Sequence, residues 1–303
     1  MSAWHTPALL DEAIEWLRID PGGTYIDATL GAGGHALEIA RRLTTGRLLG
    51  IDRDPRALEI ARERLKTYEG QVTLVRDNFS RIEEIVRRLN LPSADGVLAD
   101  LGVSSMQLDS AERGFSFRFG GPLDMRMDPD AQETAAEIVN HWPEERLADL
   151  IYRYGEERDS RRIARAIVRA RPVRDTGHLA TVVAGVRKQR GRQRLHPATK
   201  TFLALRIAVN REMEELGQFL SRTPATLSSN GRWVVLSYHS LEDRLVKHTF
   251  QRLAREGTLK ILTKKVLQPT PEETRANPRA RSAKMRVAER KAPNGTSSAN
   301  ESL

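Results

Sequence analysis

The first hundred residues of this chain alternate short apolar or β-branched runs with helical stretches, and few folds accept that order. Thr24-Tyr25-Ile26-Asp27, Arg47-Leu48-Leu49-Gly50-Ile51, Val72-Thr73-Leu74-Val75 and Gly96-Val97-Leu98-Ala99 read as strands, separated by helices beginning near His35, Pro55 and Ser80. A strand, a helix and a second strand in succession can pair the two strands only in parallel, with the helix crossing one face. The expected fold class is α/β, a doubly wound, mostly parallel, Rossmann-like sheet. Its ligands belong beyond the carboxyl ends of the strands.

The alternation stops after Asp100. Residues 105–210 read as a loop followed by helices, an inserted helical domain with an ordered acidic entry at Leu123-Asp124-Met125-Arg126-Met127-Asp128-Pro129. The pattern then resumes with one long helix from about Ala198 to Leu220, the turn Asn230-Gly231 and a strand over Arg232–Tyr238. Lys284–Ala288 is expected as a last edge strand. The α/β domain would thus comprise residues 1–104 and 211–290, and the Ser/Asn-rich residues 291–303 are expected to be a disordered tail. No run of eighteen apolar residues and no charged-then-apolar leader is found, so the expected location is the cytoplasm, away from membranes.

Gly31-Ala32-Gly33-Gly34-His35-Ala36 follows a strand and opens a helix, where glycines let backbone N–H groups approach a ligand closely. Asp52, at the end of the second strand, is placed to accept the hydroxyls of an adenosine ribose, while Asp54, just before Pro55, suits the cap of the next helix. Nicotinamide and S-adenosylmethionine enzymes share these features. Asp27 favours the second, because methyltransferases with this fold carry an acidic residue there, although Thr29 stands where a glycine is usual. Phe79, after the third strand, either stacks on an adenine or covers the sheet.

Charge is unevenly spread. Residues 158–210 hold fourteen Lys and Arg against two Asp and Glu, whereas residues 101–157 hold five against twelve. Arg158, Arg162, Arg165 and Arg169, with Arg161 adjacent, form a basic helical stripe, opposite an apolar face of Ile163, Ala166, Ile167 and Ala170. Arg187, Lys188, Arg190, Arg192 and Arg194 continue it into a Gly- and Gln-containing loop. Without acidic residues punctuating the stripe, it suits RNA phosphates, which supply affinity and salt sensitivity but little sequence choice.

Several blocks are longer and more unusual. Asp27-Ala28-Thr29-Leu30-Gly31-Ala32-Gly33-Gly34-His35, Ile51-Asp52-Arg53-Asp54, Asp100-Leu101-Gly102-Val103-Ser104-Ser105, Glu112-Arg113-Gly114-Phe115-Ser116-Phe117, Gly121-Pro122-Leu123-Asp124-Met125-Arg126-Met127-Asp128, His196-Pro197-Ala198-Thr199-Lys200-Thr201-Phe202, Ser237-Tyr238-His239-Ser240-Leu241-Glu242-Asp243-Arg244 and Asn277-Pro278-Arg279-Ala280-Arg281-Ser282 together resemble the ribosomal RNA small-subunit methyltransferase H family. The resemblance runs nearly end to end, departing at Met106, where the family often has proline. It implies a class I S-adenosylmethionine-dependent methyltransferase that modifies the exocyclic N4 amine of a cytidine in the decoding region of 16S ribosomal RNA. It also implies cofactor contacts from Gly33, Gly34, His35, Asp52, Phe79, Asp100 and Gln107. The implied partner is 16S RNA or the small ribosomal subunit, and homodimer formation is left open.

Methyl transfer from a sulfonium is an in-line displacement, so alignment and local field are what a protein contributes. Carbon-5 methylation of cytosine needs a cysteine nucleophile, and this chain has no cysteine. That favours the amine over the carbon. Asp100, ending the fourth strand, is expected to position the cofactor or the amine, although Leu101-Gly102-Val103 replaces the Pro-Pro-aromatic element of other amino-methyltransferases. His239 and Ser240 follow the next strand at the same edge and face either the flipped base or their own loop. The seven histidines show no metal-ligand spacing, and no metal is expected. A nicotinamide oxidoreductase and an RNA-binding scaffold on a vestigial nucleotide fold are the competing readings.

Overall fold

The computed structural model describes residues 7–118, 120–186 and 196–292. The chain forms two compact units, Met1–Gly102 with Glu215–Leu303, and Val103–Glu214. The first holds a seven-stranded sheet: β1 Thr24–Asp27, β2 Arg47–Asp52, β3 Val72–Arg76, β4 Ala94–Asp100, β5 Leu227–Ser237, β6 Leu259–Ile261 and β7 Lys284–Arg290. Their order across the sheet is β3-β2-β1-β4-β5-β7-β6. The first five strands are parallel, and β7 runs antiparallel to both β5 and β6.

Side chains alternate between two cores, as the two-residue period of a strand requires. Tyr25, Leu48, Leu98 and Val234 face the layer containing Leu17, Ile39 and Leu58. Ile26, Leu49, Val97 and Val235 face the opposite layer, which contains Ile82, Phe219 and Phe250. Trp233 is fully buried between Phe219 and Phe250, its ring centroid 5.9 Å and 4.9 Å from theirs. Such aromatic contacts add roughly 0.5–1.5 kcal/mol beyond their area. The strands are apolar on both faces because helices cover both.

Two strand expectations change. β7 is an interior strand, paired with β5 from Arg232–Glu289 to Ser237–Lys284, and the three-residue β6 takes the edge. A long central partner and a short edge leave fewer unpaired backbone groups in water-exposed register. β5 begins at Leu227 rather than after the Asn230-Gly231 turn. The turn lies within the strand as an irregularity opposite Ala94 and Gly96, where Asn230 is left-handed (φ 65°) and the Ser228 hydroxyl donates to Asp95 at 2.8 Å.

The second unit is helical, with its own core. Ala135–His141, Glu144–Gly155, Ser160–Arg169, Thr176–Val186 and Thr199–Val209 bury Ile138, Leu147, Ile151, Ile163, Ile167, Leu179 and Leu205 together. The expected single helix from Ala198 to Leu220 is two helices, Thr199–Val209 and Glu212–Thr226, because the chain turns left-handed at Arg211 (φ 50°). Asn210 fixes that break. Its amide donates to the Met125 carbonyl at 2.7 Å and accepts from the Met127 N–H at 2.8 Å, so the helix end is stitched to the acidic entry loop. That loop is further ordered by the Arg126–Asp124 ion pair at 2.7 Å.

Candidate active site and nucleic-acid surface

β1 is flanked by β2 on one side and β4 on the other, so the crossover direction reverses there and a crevice opens at the carboxyl ends. The glycine turn forms its floor. Gly31 (φ 51°) and Gly33 (φ 75°) adopt the left-handed region that a Cβ disfavours, and Gly34 opens the helix Gly34–Ala40. The Asp52 carboxylate braces this turn: one oxygen accepts the Gly31 N–H at 2.8 Å and the other the Asp54 N–H at 2.8 Å. Each oxygen keeps a second lone pair for a ligand hydroxyl. Asp54 itself caps the helix Pro55–Arg64 through the Arg56 N–H.

At the next strand end a second constellation assembles. The Asp100 N–H donates to the Thr29 hydroxyl at 2.6 Å, and the Tyr238 hydroxyl donates to Asp100 Oδ1 at 2.7 Å. Burial pushes the Asp100 carboxyl up to about 7, opposed by the Tyr238 hydrogen bond and reinforced by the charge of Glu242. Asp27 is likewise pushed up to about 7, mainly by burial, with Asp100 and Asp52 adding repulsion and the Thr29 N–H opposing. Burial lowers His35 to about 4, so it is neutral near pH 7 and its Nδ1, 3.8 Å from Asp100 Oδ2, makes no ion pair there. His35 Nε2 is buried with no partner of its own. A buried polar atom left unsatisfied is costly.

The remaining expected residues are placed differently. Phe79 packs edge-on against Phe219 at 5.0 Å, so part of its ring covers the sheet, while its partial exposure leaves the rest available. Gln107 lies in the helical unit, buried, where it closes a capping box: its side chain accepts the Ser104 N–H at 3.0 Å and its own N–H donates to the Ser104 hydroxyl at 3.2 Å. His239 is the N-cap of the helix Ser240–Arg255, accepting the Glu242 N–H. In return Glu242 accepts the N–H groups of Tyr238 and His239, at 2.9 Å and 3.3 Å.

The basic stripe lies on the helix Ser160–Arg169, preceded by Arg158, and all of Arg158, Arg161, Arg162, Arg165 and Arg169 are exposed. Its buried face is Ile163, Ala164 and Ile167; Ala166 and Ala170 are only half-buried, which corrects the expected apolar face. The stripe is also less free of acids than expected. Arg162 lies 3.4 Å from Asp159 and Arg165 lies 3.3 Å from Glu144, because the neighbouring helix Glu144–Gly155 brings in a residue that sequence proximity does not reveal. Arg187, Lys188, Arg190, Arg192 and Arg194 lie outside the described residues.

The model of the MraW methylase family matches residues 2–291. The chain belongs to that family. It is 51% identical to a ribosomal RNA small subunit methyltransferase H of Koribacter versatilis, over 95% of this chain and 94% of the relative. It is 52% identical to the protein of that name from Solibacter usitatus, over 94% and 99%. Among solved structures, a methyltransferase from Streptococcus mutans in complex with SAH aligns over 95% of this chain and 99% of its own, at 12% identity and TM-score 0.45. With β7 inserted antiparallel between β5 and β6, the sheet has the strand order of class I methyltransferases.

Within this methylase fold, sequence reasoning missed Tyr238, Thr29 and Glu242 as partners of the site. Thr29 stood out only as a substitute for a glycine, yet its hydroxyl takes the Asp100 N–H. Tyr238 read as the last strand residue. Its one available signal was its position beyond the carboxyl end of β5, next to β4.

Proposed function

We propose that this chain transfers the methyl group of S-adenosylmethionine to the exocyclic N4 amine of a cytidine in 16S ribosomal RNA, in its decoding region. The observation that carries this reading is Asp100 at the end of β4, its carboxyl taking the Tyr238 hydroxyl and its backbone N–H fixed by the Thr29 hydroxyl, in a methylase of this family. The cofactor supplies an electrophilic methyl on sulfur. Asp52 would take the ribose hydroxyls, the Gly31–Gly34 turn would receive the chain of the cofactor, and the orphaned His35 Nε2 would be satisfied beside it. Phe79 would border the adenine, and Gln107 belongs to the same set through the family resemblance.

Asp100 then acts on the acceptor. A cytosine amine is a poor nucleophile because its lone pair is delocalised into the ring. A carboxylate accepting one N–H localises that pair and takes up the proton as the bond to carbon forms. The Tyr238 hydroxyl holds Oδ1, leaving Oδ2 for the amine. Asp100 is therefore the catalytic residue of this proposal. His239 is assigned to positioning, since its cap on the helix Ser240–Arg255 fixes the backbone from which Tyr238 reaches Asp100. Arg158, Arg162, Arg165 and Arg169, with Arg187, Arg190, Arg192 and Arg194, supply the RNA-facing surface of the helical insertion. The work is cytoplasmic, where small subunits assemble, and no helix among the described residues is long and apolar enough to cross a membrane.

Mass mapping of modified nucleosides in small-subunit RNA, from cells with and without this chain, tests the reaction. N4-methylcytidine present in both would overturn it. Titration with S-adenosylmethionine and with NAD separates methylase from oxidoreductase at the level of binding.

A further inference from the structure

One block of the sequence is absorbed by neither the cofactor site nor the arginine helix: Asn277-Pro278-Arg279-Ala280-Arg281-Ser282. It forms a short 3-10 helix, Pro278–Ser282, leading straight into β7. Asn277 accepts the Arg279 N–H at 3.3 Å, the Ala280 N–H returns to the Asn277 carbonyl at 3.0 Å, and the Ala283 N–H to the Ala280 carbonyl at 2.7 Å. Ala280 and Ala283 are buried as two small pegs in the same core layer as Leu9 and Met285. Between and beside these pegs, Arg279, Arg281 and Ser282 point to solvent. Upstream, the helix Pro271–Ala276 is tied down by Glu273, which accepts the Leu9 N–H at 2.7 Å. Two guanidinium groups are thus displayed on backbone that is anchored on both sides.

Their place in the sheet gives the display a direction. β7 starts at Lys284, which pairs with Ser237 at the carboxyl end of β5, and Asp100 pairs with Leu236 on the same strand. The loop therefore leads into the carboxyl edge of the sheet, where Met285 lies two strand spacings, roughly 10 Å, from Asp100. It lies on the side away from β2, whose Asp52 marks the ribose side of the cofactor crevice. At the start of β7, Asp243 is paired with Lys284 at 3.3 Å and with Arg286 at 2.7 Å.

We propose that Arg279 and Arg281 grip backbone phosphates of the RNA strand that carries the acceptor cytidine, forming a second RNA contact on the α/β unit itself. A nucleotide withdrawn from its stack into a catalytic crevice leaves its flanking phosphates about one nucleotide span away, and anchored guanidiniums at that distance hold the strand while the base is engaged. The proposal rests on the RNA-methylating reading above.

The test is the double variant Arg279→Gln/Arg281→Gln in the full chain, with Arg281→Gln alone as the milder companion. Small subunits from cells lacking this chain serve as the RNA probe, and binding is measured from 0.05 to 0.3 M salt. The double variant is expected to bind roughly tenfold more weakly near 0.15 M salt, with a salt slope shallower by about 1.4, the contribution of two single-strand phosphates. Affinity for S-adenosylmethionine is expected to stay at the wild-type value. RNA affinity and salt slope equal to wild type would overturn the proposal. So would weaker binding with an unchanged slope, or a primary loss of S-adenosylmethionine affinity, which would assign the arginines to the cofactor carboxylate. If the wild-type chain itself neither bound nor methylated the subunit, it is the proposed function that would fall.

Discussion

At the scale of single residues, the site is governed by two carboxyls on neighbouring strands, Asp27 buried and Asp100 partly exposed. Desolvation pushes both Asp27 and Asp100 up to about 7 in the folded chain, well above the ordinary carboxyl range. The folded state therefore holds protons that the unfolded state has released, and the stability these groups contribute is present below about pH 4 and lost as pH rises through 7. Thermal unfolding should show Asp27→Asn more stable than wild type at pH 8, on the order of 2–4 kcal/mol, with the difference fading toward pH 4. On the proposed mechanism catalysis runs the other way, because the cytidine amine would need an ionised acceptor. The methylation rate should climb with pH to a midpoint near 7, and Asp100→Asn should lose about a hundredfold or more together with that acid limb. Tyr238→Phe removes the hydrogen bond that favours the ionised Asp100, so its rate profile should shift to higher pH. An unshifted midpoint would show that another group controls the limb. Asp100 was legible from its place at a strand end; its partners were not, since Thr29 and Tyr238 reach it from 71 and 138 residues away in the chain.

At the scale of elements, local chemistry wrote most of the boundaries. Asp54-Pro55 caps a helix, Ser104 and Gln107 close a capping box, and Thr134 with Glu137 closes another. The His239 cap belongs to the same class with an unusual residue, so its removal has a stability signature distinct from a catalytic one. His239→Ala should cost about 1 kcal/mol in denaturant unfolding, and His239→Asn, which keeps a capping acceptor, should restore both stability and methylation. Activity lost in His239→Asn with stability intact would move the histidine into the chemistry. Elements shaped by distant partners were misread: the break at Asn210 exists because Met125 and Met127 bind its side chain, and β7 is interior because β6 closes the sheet beyond it.

At the scale of the whole molecule, the chain forms two units, each with its own core. The arginines of the helix Ser160–Arg169 are unequal: Arg162 and Arg165 have acidic neighbours, whereas Arg158, Arg161 and Arg169 form no ion pair among the described residues. Neutralising Arg158, Arg161 and Arg169 to Gln should lower RNA affinity and flatten its salt dependence by about 2 in slope. Neutralising Arg162 and Arg165 should do less per charge, because their counter-charges are already bound; binding isotherms at several salt concentrations would show the order. By itself the sequence determined the parallel α/β sheet, the helical insertion, the glycine turn with Asp52 and the family, because periodicity, turn chemistry and long motifs act over short stretches of chain. Only the tertiary structure decided the Tyr238–Asp100–Thr29 constellation, the orphaned His35 nitrogen and the acids beside the arginine stripe. These depend on which strand ends and helix faces meet, and burial then sets their proton affinity in a way that no local pattern encodes.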